Sequence, residues 1–353
     1  ANKILVIYTA AVSLENKEII FLKDKGCDIY KRSEIVGLIS KSYFTIAVAG
    51  THGKTTTTAI LTHILKKSGK KIISFIGGIT NNYNSNIILD KEADIFIIEA
   101  DEYDYSFLEL YPDIAIITSV DSDHLDVYKT EEELHKSFLQ FSKQVKDKGL
   151  LLIESSLNLK FPTPKNGIKK KYSAIEKTDY YANNINVCDS KVFANLFTLD
   201  KATLQSICIA HRVDFSLPGI HNISNMMAAV AVSDFLGIPY ENICSAVKTF
   251  SGIRRRFEIL INKNQLTFID DYAHHPAEIF STINTVRTLF PKRILTVVFQ
   301  PHLFSRTKDF ADDFAISLSL ADSLILLDIF PAREDPIVGV NSKMLLDLCT
   351  NRK

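Results

Sequence analysis

Short, uninterrupted apolar runs recur through the middle of the chain, at residues 45–48, 72–76, 94–98, 114–118 and 150–153, with helical periodicity between them. Such runs suit strands covered on both faces, which predicts a mainly parallel sheet. Ahead of them, residues 4–8 read as a strand, 16–25 as an amphipathic helix, 28–30 as a short strand and 34–40 as a second helix, about half of a small α/β domain. Residues 157–215 change character, rich in Lys, Asn and Tyr with alternation at 192–197, and predict a small antiparallel excursion within the same domain. Helical patterns return at 222–236 and 240–250. Past a junction at 252–257, a fresh α/β series begins, with strands at 266–269, 294–299 and 324–328 and helices at 276–289 and 309–320. The expected organisation is three domains, at 1–43, 44–253 and 254–353.

Composition narrows the function. A chain of 353 residues exceeds what one core usually supports. Lys+Arg and Asp+Glu both number 41, so the balance argues against broad attraction to nucleic acid or anionic membrane, and any anion chemistry must be local. Cys27, Cys188, Cys208, Cys244 and Cys349 form no C-x-x-C pair, which argues against a zinc site and a disulfide framework and fits a reducing cytoplasm. No apolar run approaches the ~20 residues that span a bilayer, and the first residues lack the shape of a signal peptide. The chain opens almost at once in a strand-like run without methionine and stops without a closing element, so it is expected to be truncated at both ends.

The candidate chemistry begins after the first central strand, in Gly50-Thr51-His52-Gly53-Lys54-Thr55-Thr56. Glycines let backbone N–H groups close around phosphate oxygens, the following helix adds its dipole, Lys54 brings a mobile positive charge and Thr55 a hydroxyl for Mg2+. The loop reads Gly-x-x-Gly-Lys-Thr, with Val48 where the common P-loop has its first glycine. The run 94–98 leads into Glu99, Asp101 and Glu102, at the strand end where a divalent ion would need carboxylates; Glu99 is the first choice, and a helix N-terminus is the other reading of Asp101 and Glu102. His124 follows the next strand and joins as a candidate ligand. Asn222 fits a helix N-cap, while Asn225, one turn on, offers an amide matched to adenine's edge. Arg254, Arg255 and Arg256 lie at the junction, where guanidinium forks can reach a transferring phosphoryl group; exposed linker charge accounts for at least one of them. Two strand ends, 270–276 and 299–308, would face the ATP site across a cleft, and the adjacent histidines 274 and 275 lack zinc-site spacing.

Taken in order, the blocks AGTHGKTT, EADE, DHLD, PGIHN, RRF, DDYAHHP and FQPH resemble the Mur ligases, and within them the branch that adds L-alanine to UDP-N-acetylmuramate. The resemblance runs from about residue 4 to the end. It implies a partial UDP-binding N-terminal domain, a parallel-sheet, P-loop-type central ATPase and an incomplete Rossmann-like C-terminal domain. It implies ATP and Mg2+ as cofactors, an acyl-phosphate route from carboxylate to amide, and a cytoplasmic monomer or weak homodimer in peptidoglycan precursor synthesis. By position it makes Lys54, Glu99, His124 and Arg256 catalytic, with Thr55, Glu99 and His124 on the metal. Gly50 to Thr56, Asn222, Asn225, Arg256 and Asp271 fall to the nucleotide, and Tyr272, His274, His275 and Arg306 to the substrate. Leu303 and Lys308 replace family arginines, and the family's glycine-rich UDP loop is absent, so the ATP site is expected to survive better than the UDP-sugar site. The competing readings are a murein-peptide ligase, which Glu102-Tyr103-Asp104 resembles, and an inactive nucleotide-binding module. The 121–126 and 335–337 blocks favour the alanine branch, and the retained ATP residues argue against decay.

Overall fold

A computed structural model describes residues 4–350, except 122–124, 189–190, 201 and 333. A ten-stranded sheet dominates it. Strand Phe44–Ala49 lies at its middle, parallel to Ile95–Ala100 on one side and to Ile114–Ile117 on the other. Its side chains explain the uninterrupted apolar reading. Ile46 and Val48 enter the core on one face, with the helices Lys54–Lys67 and Ile220–Phe235, while Ala47 and Ala49 enter the other, with Phe138 and Phe141 of helix Glu131–Lys143. Small residues on Ile220–Phe235, Ala228, Ala229 and Ala231, are all buried, consistent with close helix packing.

The parallel order continues outward through Leu150–Glu154, Ile168–Ser173 and Tyr180–Cys188 on one flank and Ile72–Thr80 on the other. Antiparallel strands close the described edges, Lys191–Leu199 and Ser206–Phe215 at one and Ser85–Leu89 at the other. This corrects the expected excursion at 157–215. Its first two strands are parallel members of the central sheet, and only its last two strands pair antiparallel. Two further corrections are local. The helix expected at 309–320 is two helices, Phe304–Asp309 and Ala311–Leu318, broken at Phe310. Gly219, with φ of +101°, caps Ile220–Phe235, so Asn222 lies inside the first turn instead of at the cap.

Smaller sheets flank the large one. Leu5–Tyr8 pairs in parallel with Asp28–Lys31, Glu258–Asn262 antiparallel with Thr267–Asp270, and Thr296–Phe299 in parallel with Ser323–Leu326. The last four strands accompany helix Pro276–Leu289 and a separate apolar cluster built on Ile279, Ile283, Phe299, Phe314 and Leu345. Cys27, Cys208, Cys244 and Cys349 carry free thiols. Among the described residues no helix is long and apolar enough to cross a membrane.

Candidate active site

The glycine loop sits where strand Phe44–Ala49 hands over to helix Lys54–Lys67. Gly53 takes the left-handed conformation at the helix cap, φ +83°, and a Cβ there would stand 2.5 Å from Asn225 Oδ1. A Cβ on Gly50 would collide with Thr118 Oγ1. Both positions therefore need glycine on two counts, backbone angle and space. The neighbouring strand's exit braces the loop: His52 N–H donates to Ser119 Oγ at 2.7 Å, and Thr118 Oγ1 donates to the His52 carbonyl at 2.5 Å.

Lys54 turns back over this loop. Its ammonium donates to the Gly50 carbonyl at 2.6 Å and to both oxygens of Glu102, at 2.8 and 2.7 Å. Glu102 has no exposed surface. Burial alone would lower the Lys54 pKa, but the carboxylates of Glu102, Asp101 and Glu99 outweigh it and hold the group above its ordinary value. Glu102 is thus Lys54's partner, and Glu99 is the acid that faces Thr55, whose hydroxyl donates to Glu99 Oε2 at 3.0 Å. The Gly77 N–H donates to the other Glu99 oxygen, and a Cβ on Gly77 would come within 2.7 Å of the carboxylate. Burial raises the Glu99 carboxyl despite the Gly77 N–H, Lys54 and Thr55, so this acid gains from a further positive neighbour.

A hydroxyl at a helix start and a carboxylate at the end of the adjacent strand are a donor set that suits a hard divalent cation. Among the described residues no three His, Cys, Asp or Glu side chains gather as a metal cage, so a cation held by Thr55 and Glu99 would complete its shell with phosphate oxygens and water. His124, the third expected ligand, lies outside the described residues.

Asn222 and Asn225 are both buried beside the loop. Asn225 Oδ1 accepts from Thr57 Oγ1 at 3.2 Å, and Asn222 Nδ2 donates to the Pro218 carbonyl at 2.6 Å. Of the three junction arginines, Arg254 and Arg255 are exposed and Arg256 is half-buried. Arg254 donates to Asn84 Oδ1 at 2.5 Å, Arg255 stands 3.6 Å from Asp270, and Arg256 turns inward to 3.8 Å from Glu278. A cavity of about 400 Å³ joins Asn222, Asn225 and Arg256, with His52, Thr56, Asp271 and Glu278 also in its walls, and leaves Arg254 and Arg255 outside. That is a size suited to a nucleotide-scale ligand. Asp271 accepts from Thr282 Oγ1 at 2.5 Å, and burial lifts its pKa.

The expected substrate residues divide. Tyr272 is open, its ring 5.0 Å from His274 and about as far from the Arg255 and Arg256 guanidinium carbons, at 5.3 and 5.4 Å. His274 faces His302 at 6.4 Å between rings. Burial, then Arg306 and His274, lower the His302 pKa, and Arg306 itself is 8% exposed. His275 is instead a buried helix cap whose ring lies 4.9 Å from His52, on the phosphate-loop side of the cluster.

Three participants escaped the sequence reading, Gly77, Ser119 and Glu278, and His302 entered it only as part of the FQPH block. Glu278 had a usable local signal, since it stands three residues after His275 in a capping-box arrangement. Its contact with His52, 226 residues away, had none.

The chain is similar to known proteins over nearly its whole length. The profile of the Mur ligase middle domain matches residues 48–233, and that of the Mur ligase glutamate ligase domain matches 255–351. The UDP-N-acetylmuramate–L-alanine ligase of Flavobacterium johnsoniae is 45% identical over 98% of this chain and 74% of its own length. That of Cytophaga hutchinsonii is 39% identical over all of this chain and 75% of its own. Among solved structures, the UDP-N-acetylmuramate–alanine ligase of Thermotoga maritima superposes with a TM-score of 0.78 at 26% identity, covering 99% of this chain and 74% of that one. A murein peptide ligase from Psychrobacter arcticus shares the fold, with a TM-score of 0.65 at 24% identity, covering 99% and 75%.

Proposed function

The chain belongs to the Mur ligase family, and we propose on that premise that it is an ATP-dependent ligase joining L-alanine to UDP-N-acetylmuramate, a step in peptidoglycan precursor synthesis. The observation that carries this reading is the single cavity shared by the phosphate loop, Arg256 and the segment around Asp271 and Glu278.

The chemistry asks for such a cavity. A carboxylate resists amine attack because oxide is a poor leaving group. The lactyl carboxylate oxygen therefore first takes the γ-phosphoryl of ATP, releasing ADP. The L-alanine amine then attacks the acyl carbon, the C–O bond to phosphate breaks, and amide, phosphate and a proton leave. Two anions must meet in the first step, so the protein's task is alignment and charge stabilisation. Lys54 and the Gly50–Thr55 backbone suit the transferring phosphates, and Arg256 adds a guanidinium from the opposite wall. Thr55, Glu99 and, by family resemblance, His124 would hold Mg2+, which when bound offsets phosphate charge. Asn222, Asn225 and Asp271 fall to the nucleotide. Tyr272, His274 and Arg306 fall to the acceptor side, where Leu303 leaves one fewer cation for an amino-acid carboxylate, and His275, expected there too, supports the helix start beside His52.

The same reading takes 1–43, 44–253 and 254–353 as the substrate, ATPase and amino-acid domains of a cytoplasmic enzyme that acts as a monomer or weak homodimer, without nucleic acid or membrane partners. It is tested by phosphate release from ATP and Mg2+ in the presence of UDP-N-acetylmuramate. Release that depends on L-alanine is expected. Release that needs the L-alanyl tripeptide instead would assign the chain to peptide recycling, and none with either acceptor would overturn the ligase reading.

A further inference from the structure

Glu278 touches the phosphate loop, the junction arginine and the acceptor-side histidine together. Its Oε1 stands 3.3 Å from His52 Nδ1 and 3.8 Å from Arg256 Nη1. Its Oε2 accepts from the His274 N–H at 3.1 Å and the His275 N–H at 3.4 Å, and lies 3.4 Å from His274 Nδ1. The backbone contacts fix the carboxylate to the start of helix Pro276–Leu289, so its position is set before any side chain approaches it.

We propose that Glu278 is the positioning residue of the phosphoryl-transfer step, a fixed post that aims Arg256 and His52 from opposite sides of the cleft toward the γ-phosphoryl of ATP. This deepens the ligase reading and rests on it.

A carboxylate this close to a triphosphate site would repel the nucleotide if it acted as a free charge. It does not: burial would raise its pKa, but His52, His274 and Arg256 together draw it well below the usual carboxylate range, which favours the ionised form that these neighbours pair with. Its charge is spent on orienting two donors instead of facing solvent, since only 17% of the side chain is exposed. A guanidinium on a flexible stem loses much of its catalytic value when it must be ordered at each turnover, and a misplacement of about 1 Å can cost about 100-fold in rate. Holding Arg256 before ATP arrives removes that penalty. The contact also crosses the cleft, because His52 belongs to the loop after the central strand and Glu278 to the following α/β segment.

Glu278→Gln keeps the side-chain length and an oxygen to accept the two backbone N–H bonds, and replaces the charged oxygen that faces His52 and Arg256 with an NH2 donor. The expected result, read well below the melting transition of the variant, is a kcat roughly 10- to 100-fold lower with the KM for ATP changed less than about threefold; the melting temperature falls as well, because the ionised carboxylate also stabilises the fold. His52→Gln, which removes one guided group and leaves the helix start alone, should lower kcat in the same direction. A Glu278→Gln kcat within about twofold of the parent would overturn the proposal, as would a loss carried by KM or by melting temperature alone. If the parent protein itself releases no phosphate with L-alanine, the ligase reading fails and takes this proposal with it.

Discussion

Lys54 has two jobs, and its surroundings separate them. Its ammonium neutralises Glu102, a carboxylate with no exposed surface, through two bonds at 2.8 and 2.7 Å. It also sits at the phosphate loop, where any γ-phosphoryl transfer needs a cation. Lys54→Ala therefore does more than remove a phosphate ligand. It strands a buried charge, and breaking a buried pair from one side costs about 3–5 kcal/mol. We expect Lys54→Ala to abolish turnover and to unfold at much lower denaturant. Lys54→Ala with Glu102→Gln should regain most of the lost stability and none of the turnover, in chemical denaturation and phosphate-release assays on the same samples. Recovered turnover in the double variant would remove Lys54 from the chemistry, and unrecovered stability would mean that Glu102 is satisfied by other groups.

At the scale of elements, helix Lys54–Lys67 links the loop to the rest of the central unit. Its His63, 1% exposed, lies 2.9 Å from Tyr83 Oη and 3.0 Å from Thr249 Oγ1, tying the helix to the turn after Ile72–Thr80 and to the end of helix Tyr240–Thr249. Burial, with Lys67 nearby, pulls the His63 pKa down to about 4, and burial does the same to His221, also about 4. An unfolded histidine titrates near 6.5, so between pH 6.5 and 4 the unfolded chain binds protons that the folded one refuses. Stability should accordingly fall as pH drops through that window. Thermal denaturation at pH 7 and pH 5 tests it: His63→Gln should show a smaller loss between the two than the parent, and an equal loss would assign the acid sensitivity elsewhere. Elements with both faces buried, such as Phe44–Ala49 and Leu150–Glu154, were legible because their sequence carries no polar alternation. Ile168–Ser173 was not, although it is a parallel strand of the same sheet. Its three lysines hide it, and two of them bring their ammonium groups to the Phe161 carbonyl and Tyr180 Oη while the strand pairs normally. Asn222 misled for the opposite reason: a good cap residue stood three positions past a glycine whose positive φ starts the helix.

On the scale of the whole molecule, the loop, Glu99 and the junction arginine could be placed in sequence because each follows a strand or a boundary. Their assembly could not, because the cleft is closed by pairs such as His52 and Glu278, separated by 226 positions. The cavity those pairs enclose has walls from both sides of the 252–257 junction. A ligand that fills it touches both segments, the one whose large core surrounds the central sheet and the one whose smaller core is built on Phe299 and Phe314. Binding to the folded state stabilises by RT ln(1 + [L]/Kd), about 2.7 kcal/mol at about 100 times Kd. If ATP with Mg2+ spans the cleft, that free energy is shared, and calorimetry should show the unfolding of both cores moving upward together as nucleotide is added. Glu278→Gln should weaken the coupling, so that the smaller core lags behind. Upward movement of the larger core alone in the parent protein would confine the nucleotide to the central unit and leave Arg256 and Asp271 outside its grasp.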